Sequence, residues 1–269
     1  MADYALTLSS VERDRYRSMA ALAWAEEARS WRAAGVRAGA SVADIGCGPG
    51  AVLRLLGEQV GPAGRALGVD NTAEAVIAAN AEVQGLLGVG AQVGDAAATG
   101  LPNDVFDVVM CRHVLAHNGG REPAIVAHLA ELARPGGTVY LVDVDRDAAW
   151  IDPSDPDVDD LHARYLEFQL QRGNDLWVGR RLGALLEGAG LDVETYRAGG
   201  AVVRLSVGAR PPAWAAQAGL VAAGFATPSD VRRWDHAFRR LDRREQRPWA
   251  SSPVVIAFGR KPERSRRQC

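Results

Sequence analysis

The chain is poor in cysteine, with three in 269 residues: Cys47, Cys111 and Cys269. The number is odd and the spacing wide. A disulfide framework or a cysteine metal site does not fit, and free thiols in a reducing compartment are expected. An excess of one charge sign is missing too. With 31 basic and 33 acidic residues the net charge is −2, which makes no electrostatic case for nucleic acid or a membrane as main partner. No apolar run reaches membrane-spanning length without charges. The first residues include Asp3, Glu12, Arg13 and Asp14, where a secretory leader would be apolar. Internal repeats are absent. What remains is a 48% hydrophobic chain long enough for one α/β domain with insertions, expected in the cytoplasm. Its oligomeric state is not set by the sequence.

What the chain does have is alternation. Residues 9–34 read as a helix, with Ser9 and Glu12 at capping-box spacing. Packing on the core is the expected role of this helix, ahead of a cover over a ligand. Strands are predicted at 41–45, 65–69, 90–94, 105–110 and 138–142. Helices are predicted at 51–59, 72–83 and 122–133. Such alternation argues for a parallel sheet covered by helices on both faces. From Asp143 to Asp160 eight aspartates and two prolines read as an exposed loop. Helices follow at 158–172, 179–188, 211–224 and 228–245, with strands at 191–196, 201–207 and 253–258. The helix from Pro228 is marked by Thr227 and Asp230 at its start. Its many arginines are interleaved with acids and read as a solvated face. The tail from Lys261 reads as frayed.

The chemistry gathers at Val42-Ala43-Asp44-Ile45-Gly46-Cys47-Gly48-Pro49-Gly50. A strand runs into three glycines at alternate positions and a helix leaves them, the form of a nucleotide-cofactor loop. Gly46-x-Gly48-x-x-Ala51 with Asp70 also satisfies a loose dinucleotide fingerprint, which keeps an NAD-dependent oxidoreductase as an alternative. Asp44, Gly50 and Asp95 favour S-adenosylmethionine instead. Asp70 is placed to accept from both ribose hydroxyls and Asp95 from the adenine amine, while Ala96 offers a backbone N–H.

These pieces and their order resemble the class I S-adenosylmethionine-dependent methyltransferases, most nearly the small-molecule enzymes of the ubiquinone/menaquinone-biosynthesis type. The resemblance rests on the glycine loop, then Gly68-Val69-Asp70, Gly94-Asp95-Ala96, Phe106 to Val109 with Arg112 to His117, and Leu132 to Gly137. It implies a Rossmann-like seven-stranded, mostly parallel sheet with an antiparallel last strand. One domain is expected, with a helical N-terminal cover at 1–35, a cofactor core at 36–145, helical lid insertions at 146–178 and 199–250, and the final strand at 251–260. Expected cofactor contacts are Asp44, Gly46, Cys47, Gly48, Asp70, Asn71, Asp95, Ala96, Arg112 and His113. S-adenosylhomocysteine would be the product. A protein that binds the cofactor without methylating is a further alternative.

A sulfonium is an activated donor, so the protein mainly positions an acceptor atom. If the acceptor oxygen must lose a proton, His113 and His117 are the first candidates for the base, and Asp145 the next. Their spacing of four would put the two histidines on one face of a helix. The aspartate triplets 143/145/147 and 155/157/159 could hold a hard cation, but a solvated loop is the expectation and no metal is assigned. The aromatic residues Trp150, Tyr165, Phe168, Trp177, Trp214, Phe225, Trp234, Phe238 and Trp249 point to a hydrophobic, ring-bearing small acceptor.

Overall fold

The computed structural model describes the backbone of residues 10–263 and the side chains of 15–263. Ser9, the Glu12 side chain, Cys269 and the end of the basic tail lie outside these described residues. The chain begins with helix α1 (Ser10–Ala34) and then enters strand β1 (Ser41–Ile45), α2 (Ala51–Val60), β2 (Arg65–Asp70), α3 (Ala73–Glu82) and β3 (Val89–Val93). Next come β4 (Phe106–Arg112), α4 (Glu122–Leu132) and β5 (Ala133–Val144). Boundaries follow local chemistry. Thr72 caps α3 by accepting from the Ala75 N–H, and β4 is a near-continuous apolar run because helices cover both its faces.

The rest of the chain holds β6 (Trp150–Asp152), α5 (Pro156–Gln171), α6 (Leu182–Gly188), β7 (Asp192–Gly199), β8 (Val202–Arg204), α7 (Pro212–Ala215), α8 (Gln217–Ala222), α9 (Pro228–Arg243), β9 (Trp249–Ser251) and β10 (Val254–Arg260). Seven strands form one sheet in the order β3-β2-β1-β4-β5-β10-β7. β10 runs antiparallel to both neighbours, as expected. The period of two sorts the strands onto two cores. Ala43, Ile45, Val109 and Leu141 face α4 and α6. Val42, Val108, Met110, Tyr140 and Val142 face Trp31 of α1 and Leu53 and Leu56 of α2. The order reverses between β1 and β4, so the carboxyl ends of these strands open a crevice.

Several expectations are corrected downstream. The stretch 143–160 is not an exposed loop: Asp143 and Asp155 are buried, 150–152 is a strand, and α5 starts at Pro156, capped by Asp155. The reason is distant charge. Arg240 binds Asp155 and Asp157 at 2.9 and 2.8 Å, and Arg233 binds Asp157 and Asp160 at 2.6 and 2.7 Å. These arginines of α9 are therefore internal partners of the aspartates rather than a solvated face. The strand expected at 201–207 shrinks to β8, which joins β6 and β9 in a separate antiparallel three-stranded sheet. The helix expected at 211–224 is two short helices meeting at Ala216. The insertions pack on one another around their own core of Val158, Leu161, Phe168, Leu220, Trp234 and Phe238.

Candidate functional site

Gly46 and Gly50 shape the turn after β1. Gly46 has a φ of 80°, and a Cβ there would lie 2.1 Å from the Val114 side chain. Gly50, φ 87°, meets the Ala79 backbone of α3, where a Cβ would come within 2.7 Å of its Cα. Close helix packing thus accounts for Gly50. Between them the Gly48 N–H donates to Asp70 Oδ2 at 2.9 Å. The other oxygen, Oδ1, accepts from the Thr72 N–H and hydroxyl, both at 3.1 Å. A carboxylate offers roughly four acceptor positions, so these three bonds fix Asp70 and leave it capacity for a ligand hydroxyl. Asn71 is exposed beside it. The Cys47 thiol is buried and donates to the Gly48 carbonyl; burial, then Asp44 and Asp70, push its pKa far up.

Asp44 is the least compensated group here. It is 2% exposed, and its Oδ2 has no hydrogen-bond partner. Burial pushes its pKa up to about 7, with Arg112 pulling the other way and Asp70 adding to the rise. A buried carboxylate oxygen without a partner is costly, and a cationic ligand group beside it would remove that cost. At the end of β3, Asp95 Oδ1 accepts from the Ala97 N–H at 2.8 Å and from Arg121 at 2.5 Å. The Arg121 bond first, against a burial effect, holds its carboxyl below the usual range. Ala96 packs against the core beside Leu101.

The end of β4 carries Arg112 and His113. Arg112 pairs with Glu27 of α1, a buried carboxylate that also accepts from the Tyr140 hydroxyl at 3.0 Å and Trp31 Nε1 at 3.2 Å. α1 is therefore bolted to the sheet by its C-terminal half. Its other half reaches the glycine loop, where Tyr16 lies against Gly48, and α3, where Arg17 binds Glu82 at 2.7 Å. One helix thus packs on the sheet and touches the glycine loop. Sequence reasoning missed Glu27, because one acid in a charged helix reads as surface.

His113 sits in the left-handed region at φ 55°, uncommon for a residue with a Cβ. Its N–H donates to the Val142 carbonyl at 2.8 Å. Only one 3-10 turn, 115–117, follows, so the two histidines do not share an α-helical face. Asp143 holds this turn by accepting from the Ala116 N–H at 3.1 Å. Burial, then the charges of Arg112 and His117, push His113 down to about 3. Burial, then Arg172, lowers His117. Both rings are neutral at pH 7. Asp145 is not free to act beside them: Arg180 binds both its oxygens, at 2.8 and 2.9 Å. Asp147 shares the same guanidinium. Among the described residues no group of three or more His, Cys, Asp or Glu is placed to hold a metal. Most of the aromatics expected to line a pocket instead build the insertions' own core: Trp234, Phe238 and Phe168 are buried, Trp214 packs edge-on to Phe238 and Phe225 to Phe168. Trp150 and Trp249 are about two-fifths exposed on the small sheet.

Comparison with known proteins agrees with this geometry. Residues 42–137 match the family described as a methyltransferase domain. The match spans the glycine loop, Asp70, Asp95 and the 113–117 turn, the elements that build the crevice. Likeness to curated proteins covers part of each chain. A 37.1 kDa protein in transposon TN4556 of Streptomyces fradiae is 32% identical over 179 residues, 65% of this chain and 51% of that protein. The nocamycin O-methyltransferase of Saccharothrix syringae is 40% identical over 108 residues, 39% of this chain and 38% of its own length. The chain thus spans about half or less of the curated relatives it matches. The crystal structure of a SAM-dependent methyltransferase from Aquifex aeolicus shares the fold, with a TM-score of 0.54 at 15% identity over 92% of this chain and 97% of that one. No helix among the described residues is long and apolar enough to cross a membrane.

Proposed function

We propose that the methyltransferase domain binds S-adenosylmethionine and transfers its methyl group to an oxygen, nitrogen or carbon of a small acceptor molecule. The observation that carries this is the unpartnered buried oxygen of Asp44, set one strand-end from Asp70 and two from Asp95. A cationic amino-acid group suits Asp44, ribose hydroxyls suit Asp70, and an exocyclic amine suits Asp95 Oδ2, which has no hydrogen bond among the described residues. The sulfonium supplies an activated methyl group. The chain's own residues supply position: proximity and orientation are worth on the order of 7–11 kcal/mol in the best intramolecular cases. His113 and His117, neutral at pH 7, are in the form that accepts a proton from an acceptor hydroxyl. Their lowered pKa keeps that form dominant at neutral pH, at the cost of base strength. The O-methylating relative supports an oxygen acceptor.

The test is titration of the protein with S-adenosylhomocysteine. Asp70→Ala and Asp95→Ala are each expected to weaken binding, the first about 100-fold, since hydrogen bonds to a charged group are worth about 1.5–3 kcal/mol each. Unchanged affinity in both variants would remove the site assignment.

A further inference from the structure

The chain has seven tryptophans, all among the described residues, and five of them are buried or half-buried. The other two, Trp150 and Trp249, are 44% and 42% exposed, and both belong to the small sheet. Its register brings them together. Trp150 pairs with Ser251 and Asp152 with Trp249 across β6 and β9, and Val202 pairs with Ser251 across β8 and β9. Cross-strand partners share a face, as do residues two apart on one strand. Trp150, Asp152, Val202, Trp249 and Ser251 therefore point the same way. Ile151, on the opposite face, packs against the core of the insertions, so the face with the indoles is the outward one.

This face is not flat. On the central strand Ser251 is small, with Trp150 on one side of it and Val202 on the other. Trp150, Asp152, Val202 and Trp249 line a cavity of about 330 Å³, within the range of small-ligand sites, about 300–1,000 Å³. Single exposed apolar residues are ordinary. Here the two exposed tryptophans of the chain converge on one cleft. Its place in the fold is defined as well. β5 and β7 both run antiparallel to β10, and β6 follows β5, β8 follows β7 and β9 leads into β10. The small sheet thus stands beyond the carboxyl edge of the large one, and its cavity shares no residue with the row Asp44, Asp70, Asp95.

The lining states a chemistry. The face of an indole is negative and attracts a cation within about 6 Å of the ring centre. Trp249 already does so inside the chain, with Arg204 Cζ 3.9 Å from its ring centroid; that guanidinium also donates to the Arg247 carbonyl. Of the four residues that line the cavity only Asp152 is charged. We propose that the cavity is a second binding site, for an organic ammonium ion, whose alkyl groups lie against the two indoles and whose charge is met by Asp152. The site goes beyond the methyl-transfer reading and does not depend on it.

The experiment is isothermal titration of the full chain with choline and with 3,3-dimethylbutan-1-ol, which has the same shape and no charge. The wild type is expected to bind choline about tenfold more tightly than the alcohol. Trp150→Leu keeps an apolar wall without a π face, and Asp152→Asn keeps the shape without the charge. Each should weaken choline about tenfold, leave the alcohol as it was and leave S-adenosylhomocysteine binding unchanged. Equal affinity of the wild type for both probes, binding of neither, or undiminished choline binding in both variants would overturn the proposal. So would a dimer of the chain, seen by analytical ultracentrifugation, that Trp150→Leu dissociates and choline does not.

Discussion

The donor half of the molecule, residues 36–145, leaves one buried acid uncompensated, and the helical insertions that follow it leave none. In the insertions every buried acid has a basic partner: Asp155 is held by Arg240 and caps α5 at the same time. In the donor half Asp44 is buried with an oxygen left over. A compensated charge makes structure, and an uncompensated one marks a place where a ligand is expected. The glycine loop alone does not make that distinction, since Gly50 is explained by the packing of α2 on α3.

The comparison can be broken most forcefully at Asp44. Its folded pKa, about 7, lies above the ordinary 3.8. The sign follows: the contribution to stability is present below the unfolded pKa and is lost as pH rises through 7. Asp44→Asn does not ionise and keeps it. The stability gap between variant and wild type is expected to widen by about 3 kcal/mol from pH 5 to pH 8, at about 1.36 kcal/mol per pKa unit, as read by urea denaturation of the unliganded protein. The same variant should bind S-adenosylhomocysteine more weakly. A gap independent of pH would show that Asp44 has a partner after all.

Glu27 of α1, the helix that packs on the donor half, sharpens the contrast, being a buried acid that is partnered by Arg112, Tyr140 and Trp31. Glu27→Gln leaves Arg112 buried and unpaired, which costs about 3 kcal/mol for pairs of this kind. A lower denaturation midpoint is expected at neutral pH, with a loss of ligand affinity because Arg112 stands beside Asp44. Full affinity in a destabilised protein would confine Glu27 to holding α1. Asp155→Ala should be the mildest, about 2 kcal/mol from the lost cap and ion pair, with binding of S-adenosylhomocysteine unchanged. A matching loss of affinity would mean the insertions and the donor half are not separable in this way.

The two halves were also unequally legible. β1 falls where the sequence places it, at 41–45, and Asp44, Asp70 and Asp95 stand at strand ends because the apolar runs stop there. Local periodicity and glycine placement suffice for that. The aspartate stretch misled because its partners, Arg233 and Arg240, are some eighty residues away, and composition alone makes it look solvated. The small sheet was hidden for a related reason: strands of three residues carry no period, and β6, β8 and β9 meet only in the folded chain.

The most direct test of the account is a side-by-side titration of the full chain with S-adenosylhomocysteine and with NADH. Saturable binding of S-adenosylhomocysteine, weakened in Asp44→Asn and Asp70→Ala, with no binding of NADH, is the result expected. Tight binding of NADH with none of S-adenosylhomocysteine would contradict it.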